Sequence, residues 1–282
     1  MILFKTAINL SQYLTRKSGS GSSIGFVPTM GALHAGHLSL IESSKKKTIL
    51  TVCSIFVNPT QFNDPQDFAK YPVTLDQDIR LLEAAGCDIV FLPSVEEIYP
   101  NGTKQQQAFD IGYLENILEG KYRPGHFQGV CQVMYRLLEI VKPAILFLGQ
   151  KDYQQSMVIK KLISISGWDI SVSVIPTLRE SSGLALSSRN LRLSEKDKMS
   201  AAIICQSLLY IKENIQPGVL NNIIEKATLM INDAGFEKTD YITIADVDTL
   251  EPITHWNGET SLVALVAAFI GGIRLIDNMV IT

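Results

Sequence analysis

The stretch Phe26-Val27-Pro28-Thr29-Met30-Gly31-Ala32-Leu33-His34-Ala35-Gly36-His37 reads as a buried strand, a glycine-bearing loop and the first turn of a helix. Its apolar start is bounded by Pro28 and Gly31, and an amphipathic run follows from His37 to Lys47. Helix N-termini carry unpaired N–H groups and a partial positive charge, so phosphate binds there readily. His34 and His37, three residues apart, share one helical face and can both donate to phosphate oxygens. Gly36, with no side chain, lets a flat ring approach the backbone. A lone histidine in such a place is ordinary. Here two of the four histidines of the chain fall within one strand-to-helix junction.

Around this junction, β-branched runs alternate with helical patterns, as in a parallel α/β sheet. Strands are predicted at Ile24–Pro28, Ile49–Val57, Asp88–Leu92, Ala144–Leu148 and Ile170–Ile175. Helices are predicted at His37–Lys47, Leu75–Ala85, Val130–Val141 and Gln154–Ser166. In an open parallel sheet the carboxyl ends of the strands share one edge, where ligands bind. From about Thr177 the order changes: helices at Ser194–Glu213 and Leu220–Ala234 precede strands at Tyr241–Val247 and Ser261–Ile270. The expectation is a Rossmann-like domain over residues 1–176 and a smaller α+β domain over 177–282.

Three further segments carry chemistry. Ile55-Phe56-Val57-Asn58-Pro59-Thr60-Gln61-Phe62 leaves a strand with two carboxamides able to face a cleft, although alone it reads more readily as a routine strand exit. Phe147-Leu148-Gly149-Gln150-Lys151-Asp152-Tyr153-Gln154-Gln155 combines a glycine for close backbone approach, a compact cation for phosphate and a carboxamide one turn on. Lysine at a helix start opposes the macrodipole, which favours a functional reason for Lys151. Gly183-Leu184-Ala185-Leu186-Ser187-Ser188-Arg189-Asn190 offers two hydroxyls and a guanidinium suited to bidentate phosphate contact. Asp76 and Asp78 could hold a metal or support the site, but they open a helix, where acids are ordinary, and that reading is preferred. Residues 121–128, with Arg123 and His126, read as a segment able to close over a reactive intermediate.

The His-x-Gly-His element resembles the HIGH motif of the nucleotidyltransferase superfamily, and Ser187-Ser188-Arg189 stands where that superfamily has its KMSKS loop. With Tyr71-Pro72, Ile98-Tyr99-Pro100-Asn101-Gly102, Pro124-Gly125-His126-Phe127 and Arg274-Leu275-Ile276-Asp277-Asn278, the order of segments resembles the pantothenate synthetase family over nearly the whole chain. That resemblance implies ATP-dependent condensation of pantoate with β-alanine through a pantoyl adenylate, releasing AMP and pyrophosphate. It implies a homodimer, and magnesium carried on the ATP phosphates with no certain protein ligand. Catalytic roles are implied for His37, His34, Lys151 and Arg189. ATP contacts are implied along Met30, Gly31, Ala32, Leu33, His34, Ala35, Gly36 and His37. They are also implied at Gly149, Gln150, Lys151, Asp152, Leu178, Leu186, Ser187, Ser188 and Arg189. Gln61 and Gln155 would hold pantoate, with Gln61 also meeting β-alanine. Ser182 and Gln128 depart from the family pattern, which usually has Asp and Arg there.

The bulk properties agree with such an enzyme. A net charge of -3 argues against a general nucleic-acid or membrane surface, and Lys45-Lys46-Lys47 reads as a solvated helix end. Cys53, Cys87, Cys131 and Cys205 show neither Cys-x-x-Cys nor zinc spacing, a reducing-compartment pattern. No basic-then-apolar leader is evident, and the apolar run Leu262–Ile270 is too short to span a bilayer, so a cytoplasmic location is expected. Two other readings stay open. Another HIGH-type transferase would release a stable adenylylated product, and a regulatory nucleotide-binding module would show no turnover.

Overall fold

The computed structural model describes residues 1–19, 21, 23–104 and 107–281. The chain divides into two compact units, Met1–Gln150 with Gln154–Pro176, and Lys151–Tyr153 with Thr177–Thr282.

The larger unit is built on β1 (Ile2–Phe4), α1 (Ala7–Gly19), β2 (Ile24–Thr29), α2 (Ala35–Lys47), β3 (Leu50–Ile55), α3 (Pro65–Ala69), α4 (Leu75–Ala84) and β4 (Ile89–Phe91). It continues with α5 (Val95–Ile98), α6 (Leu118–Tyr122), α7 (His126–Val141), β5 (Ile145–Gly149), α8 (Tyr153–Ile165, from Gln154 onward) and β6 (Ser171–Ile175). The sheet runs β1-β4-β3-β2-β5-β6, with every pairing parallel. From β2 the chain moves outward through β3 to β4, then returns to place β5 on the other side of β2. The order therefore reverses between β2 and β5, where carboxyl ends open a crevice for ligands. The loop after β2 begins at Met30, and β5 ends at Gly149. Below the crevice, Val27, Cys53, Val90 and Phe147 from the sheet pack with Leu40 and Ile41 of α2 and Leu82 of α4.

The five predicted strands of this unit and its principal helices form within a few residues of expectation. Ser94 caps α5 by accepting from Glu97 N–H at 3.3 Å, and Lys45, Lys46 and Lys47 close α2. The sequence pattern does not announce β1 and α1. β1 is three residues long, and Ile2 and Leu3 are exposed, so it shows no period.

The smaller unit contains α9 (Glu195–Ala201), α10 (Ile203–Asn214), β7 (Gly218–Val219), α11 (Asn221–Asp233), β8 (Lys238–Asp246), β9 (His255–Trp256), β10 (Leu262–Ile270) and β11 (Ile273–Val280). β10 lies between β11 and β8, antiparallel to both. Its residues 262, 264, 266, 268 and 270 join one core with Ile204, Leu208 and Ile211 of α10 and Ala227 and Ile231 of α11. The predicted helix Ser194–Glu213 is two helices, α9 and α10, interrupted at Ala202, which keeps right-handed helical angles (φ -59, ψ -23). The interruption is a single-residue turn, and nothing in the local composition signals it.

Candidate active site

At the carboxyl end of β2 the backbone passes through two left-handed residues, Gly31 (φ 80) and Ala32 (φ 49). This conformation aims the following N–H groups inward, and Asp78 receives them. Its Oδ2 accepts from Ala32 N–H at 2.9 Å and its Oδ1 from Leu33 N–H at 2.8 Å. Thr74 Oγ1 adds a bond to Oδ1 at 3.1 Å. Successive N–H groups in such a bend form an anion-binding concavity, filled here by the protein's own carboxylate. A Cβ at Gly31 would lie 3.0 Å from Asp78 Oδ2, so the turn needs glycine on grounds of both angle and space. Asp78, 1% exposed, thus departs from the expectation of an ordinary acid in a first turn. Asp76 is exposed, as expected. Only the burial of position 78 distinguishes the two, and spacing alone does not reveal it.

The bend delivers His34 to the N-cap of α2. His34 Nδ1 accepts from Gly36 N–H at 3.2 Å, and His37 Nδ1 accepts from His34 N–H at 3.3 Å, a reciprocal cap. A ring nitrogen that accepts from an amide carries no proton, so each neutral ring holds its proton on Nε2. The two rings lie 4.1 Å apart between centroids, tilted by 37°. Two N–H donors from adjacent imidazoles, with the positive end of α2, make a local anion site on a chain of net negative charge.

Gln61 closes the next turn, the one-turn 3-10 helix Pro59–Gln61 after β3. Its side-chain oxygen accepts from Asn58 Nδ2 at 3.0 Å, and its Nε2 meets Met30 Sδ at 3.2 Å. Asn58, 1% exposed, also accepts from Tyr99 OH at 2.7 Å and donates to Gly129 O at 3.2 Å. Burial pushes the Tyr99 hydroxyl up to about 12, so it stays a donor. The carbonyl of Gln61 accepts from His126 Nδ1 at 2.7 Å, and His126 Nε2 meets Arg123 Nη1 at 3.1 Å. Arginine only donates, so this histidine has the opposite tautomer, with its proton on Nδ1. Arg123 and His126 are thereby attached to Gln61. In this conformation residues 123–126 brace the turn that carries Gln61. Gln128 pairs with both backbone groups of Phe109 (3.0 and 2.9 Å) and with Glu115 (3.0 Å).

On α8, adjacent glutamines divide the work. Gln154, 3% exposed, is consumed by Glu119 N–H and the carbonyls of Leu114 and Ile117. Gln155 is half-buried. At Gly149 an added Cβ would meet no atom within 4 Å, so the end of β5 faces open space.

In the smaller unit, residues 178–186 form a tight hairpin, with Leu186 N–H bonded to Leu178 O at 3.0 Å and Glu180 N–H to Leu184 O at 2.8 Å. Ser182 Oγ accepts from Leu184 N–H at 3.3 Å, so its hydroxyl caps this turn. Ser187 then caps the one-turn helix Ser188–Arg192, its Oγ accepting from Arg189 N–H at 3.3 Å. Leu178 is exposed and Ser188 buried. Lys151 sits in the 3-10 turn Gln150–Asp152 before α8, its ammonium 4.0 Å from Asp152.

A parallel sheet whose order reverses beside an anion-ready helix start defines the class, a Rossmann-like nucleotide-binding fold. The family model described as Pantoate-beta-alanine ligase matches residues 2–280. A pantothenate synthetase of Cytophaga hutchinsonii is 43% identical, covering 100% of this chain and 99% of its own. The crystal structure of pantothenate synthetase from Thermus thermophilus superposes with a TM-score of 0.91 at 38% identity, covering 99% of both chains. The Francisella tularensis pantoate-beta-alanine ligase, solved in complex with beta-gamma ATP and beta-alanine, gives 0.83 at 39%, covering 99% of this chain and 97% of its own. The chain belongs to the pantoate-beta-alanine ligase family. Its reaction is the ATP-dependent condensation of pantoate with β-alanine.

Proposed function

We propose that His34, His37, Gln61 and Gln155 of the larger unit, with Lys151, Ser187, Ser188 and Arg189, carry out this condensation in two steps. The observation behind the proposal is the pair of adjacent imidazoles at the start of α2, each with its proton assigned to Nε2 by a backbone amide. A free carboxylate is a poor acyl donor because its leaving group would be oxide. A pantoate carboxylate oxygen therefore attacks the α-phosphorus of ATP, the bond to the bridging oxygen breaks, and pyrophosphate leaves with the electron pair. The β-alanine amine then attacks the acyl carbon, the carbon–oxygen bond breaks, AMP leaves, and the nitrogen loses a proton.

Charge gathers on phosphate oxygens in the first step. His34 and His37 donate to it, and Lys151, Ser187, Ser188 and Arg189 bind the remaining phosphate oxygens. Adenine and ribose contact the backbone from Met30 to Gly36, with Gly149, Gln150, Asp152, Leu178 and Leu186. Gln61 and Gln155 hold pantoate, and Gln61 also orients β-alanine. A carboxamide suits this place because a lysine beside the anhydride would itself be acylated.

Magnesium enters as part of the substrate MgATP. Imidazoles, hydroxyls, lysine and arginine suit phosphate rather than a hard divalent ion, which prefers carboxylate and water oxygens. Among the described residues no group of three or more His, Cys, Asp or Glu is placed to hold a metal, and no helix is long and apolar enough to cross a membrane. A cytoplasmic homodimer completes the reading, with light scattering at twice the chain mass as its check.

The test is to incubate the protein with MgATP and pantoate, with and without β-alanine, and follow pyrophosphate, AMP and pantothenate. AMP release that requires both organic substrates supports the two-step route. His37→Ala should lower kcat on the order of a hundredfold or more, by analogy with loss of one preorganised donor. Unchanged turnover in that variant would remove His37 from the chemistry.

A further inference from the structure

Adjacent residues of β11 hold two segments of the smaller unit that the proposed function assigns to phosphate. Asn278, 2% exposed, donates from Nδ2 to the carbonyl of Lys151 at 2.8 Å. Tyr153 OH donates to Val247 O at 2.9 Å, a second tether on the same short segment. Lys151–Tyr153 precedes the body of α8 in sequence, yet it is compact with the smaller unit.

Asp277, 3% exposed, holds the other segment. Arg179 grips it with both terminal nitrogens, at 2.5 Å and 3.0 Å. The same guanidinium donates to Gly183 O at 3.1 Å and to Asn278 O at 3.4 Å. Arg179 stands on the first arm of the hairpin whose second arm runs directly into Ser187, and its backbone pairs with Ala185 across that hairpin. Asp277 Oδ1 also accepts from Asn278 N–H at 2.8 Å, so the two anchors are braced against each other. A planar, bidentate pair fixes direction as well as distance.

We infer that Asn278 is a positioning residue for ATP: it holds the Lys151 backbone so that the ammonium is preset for the β- and γ-phosphates, with Asp277 fixing the approach to Ser187–Arg189 from the next position. The inference rests on the reading of Lys151 as a phosphate ligand. It predicts a defect confined to the part of the nucleotide that AMP lacks, because Asn278 acts through Lys151 and not on adenine or ribose.

The test is calorimetric binding of a non-hydrolysable β,γ-substituted ATP analogue and of AMP to the full chain and to four variants. Lys151→Ala should weaken the analogue and leave AMP nearly unchanged. Asn278→Ala should weaken the analogue about tenfold, the loss of one hydrogen bond's worth of ordering, with AMP within about twofold. Asn278→Asp keeps the shape but turns an acceptor toward the Lys151 carbonyl, so it should lose the same selectivity even if Asn278→Ala folds poorly. The double variant should bind the analogue no more weakly than Lys151→Ala, because residues acting through one group are not additive. Equal weakening of both ligands, or wild-type affinities in both Asn278 variants, would overturn the inference and leave Asn278 a support of the fold. Wild-type binding in Lys151→Ala would instead remove the Lys151 assignment, and the inference with it.

Discussion

Asp78 shows how one buried side chain sets a site it need not touch. Its two oxygens take the N–H groups of Ala32 and Leu33, and these residues lead straight into the His34 cap. Asp78→Ala removes the carboxylate acceptor that the two amides share, which costs about 1–3 kcal/mol. It also frees the bend that delivers both histidines. A small misplacement of reacting groups costs on the order of a hundredfold in rate. We therefore expect Asp78→Ala to lower kcat by about ten- to a hundredfold in protein that still folds, with Asp78→Asn between it and wild type. Urea denaturation alongside steady-state kinetics checks this. A variant that loses stability and keeps full kcat would show that the bend survives without its carboxylate.

Helix α7 meets the turn of Gln61 at Gly129, where an added Cβ would lie 2.2 Å from Thr60 O and 2.8 Å from Gln61 N. Propensity alone predicts that Gly→Ala within a helix is stabilising, by about 0.4–1 kcal/mol. Overpacking predicts the opposite sign, about 1–3 kcal/mol destabilising, and at 2.2 Å from backbone it wins. The turn must shift by about an ångström to restore ordinary contact, and Gln61 moves with it. Gly129→Ala should therefore raise the KM for pantoate about tenfold or more while the KM for ATP changes little. Initial rates with each substrate varied in turn separate this from a general loss of fold. Elements of this kind also mark what sequence can and cannot reveal. The β2–α2 junction is legible because its strand, its glycines and its paired histidines all fall within twelve consecutive residues. The strand β11 is not, because Asp277 and Asn278 occupy buried positions and break the apolar alternation that identifies a strand. Gly129 and Asp78 escape notice for a related reason: each acts on residues 45 to 71 positions away, and no local pattern encodes that.

Across the whole molecule, the acid groups that burial perturbs most are neutral ones. Burial pushes the Cys87 thiol up to about 11 and that of Cys131 up to about 12, and raises Cys53 well above its ordinary value. All four cysteines are free and buried, as their scatter through apolar stretches implied. An acid whose folded pKa lies above its unfolded value keeps its proton longer in the folded state. Its contribution to stability is complete below the unfolded value, near 9 for these thiols, and is lost as pH rises through the folded value. Each such group weakens folding by about 1.4 kcal/mol per pH unit within that window. Tyr99 adds the same effect from its ordinary value of 10 to about 12. Stability from these groups should thus be flat between pH 7 and about 8.5 and fall steeply above 9. Replacing Cys53, Cys87 and Cys131 with Ala should flatten the fall while lowering stability at pH 7, because packed side-chain volume is lost. Thermal melts from about pH 7 to about 10.5 on both proteins read this directly. An unchanged alkaline slope in the triple variant would assign the fall to Tyr99 and to repulsion among the carboxylates instead.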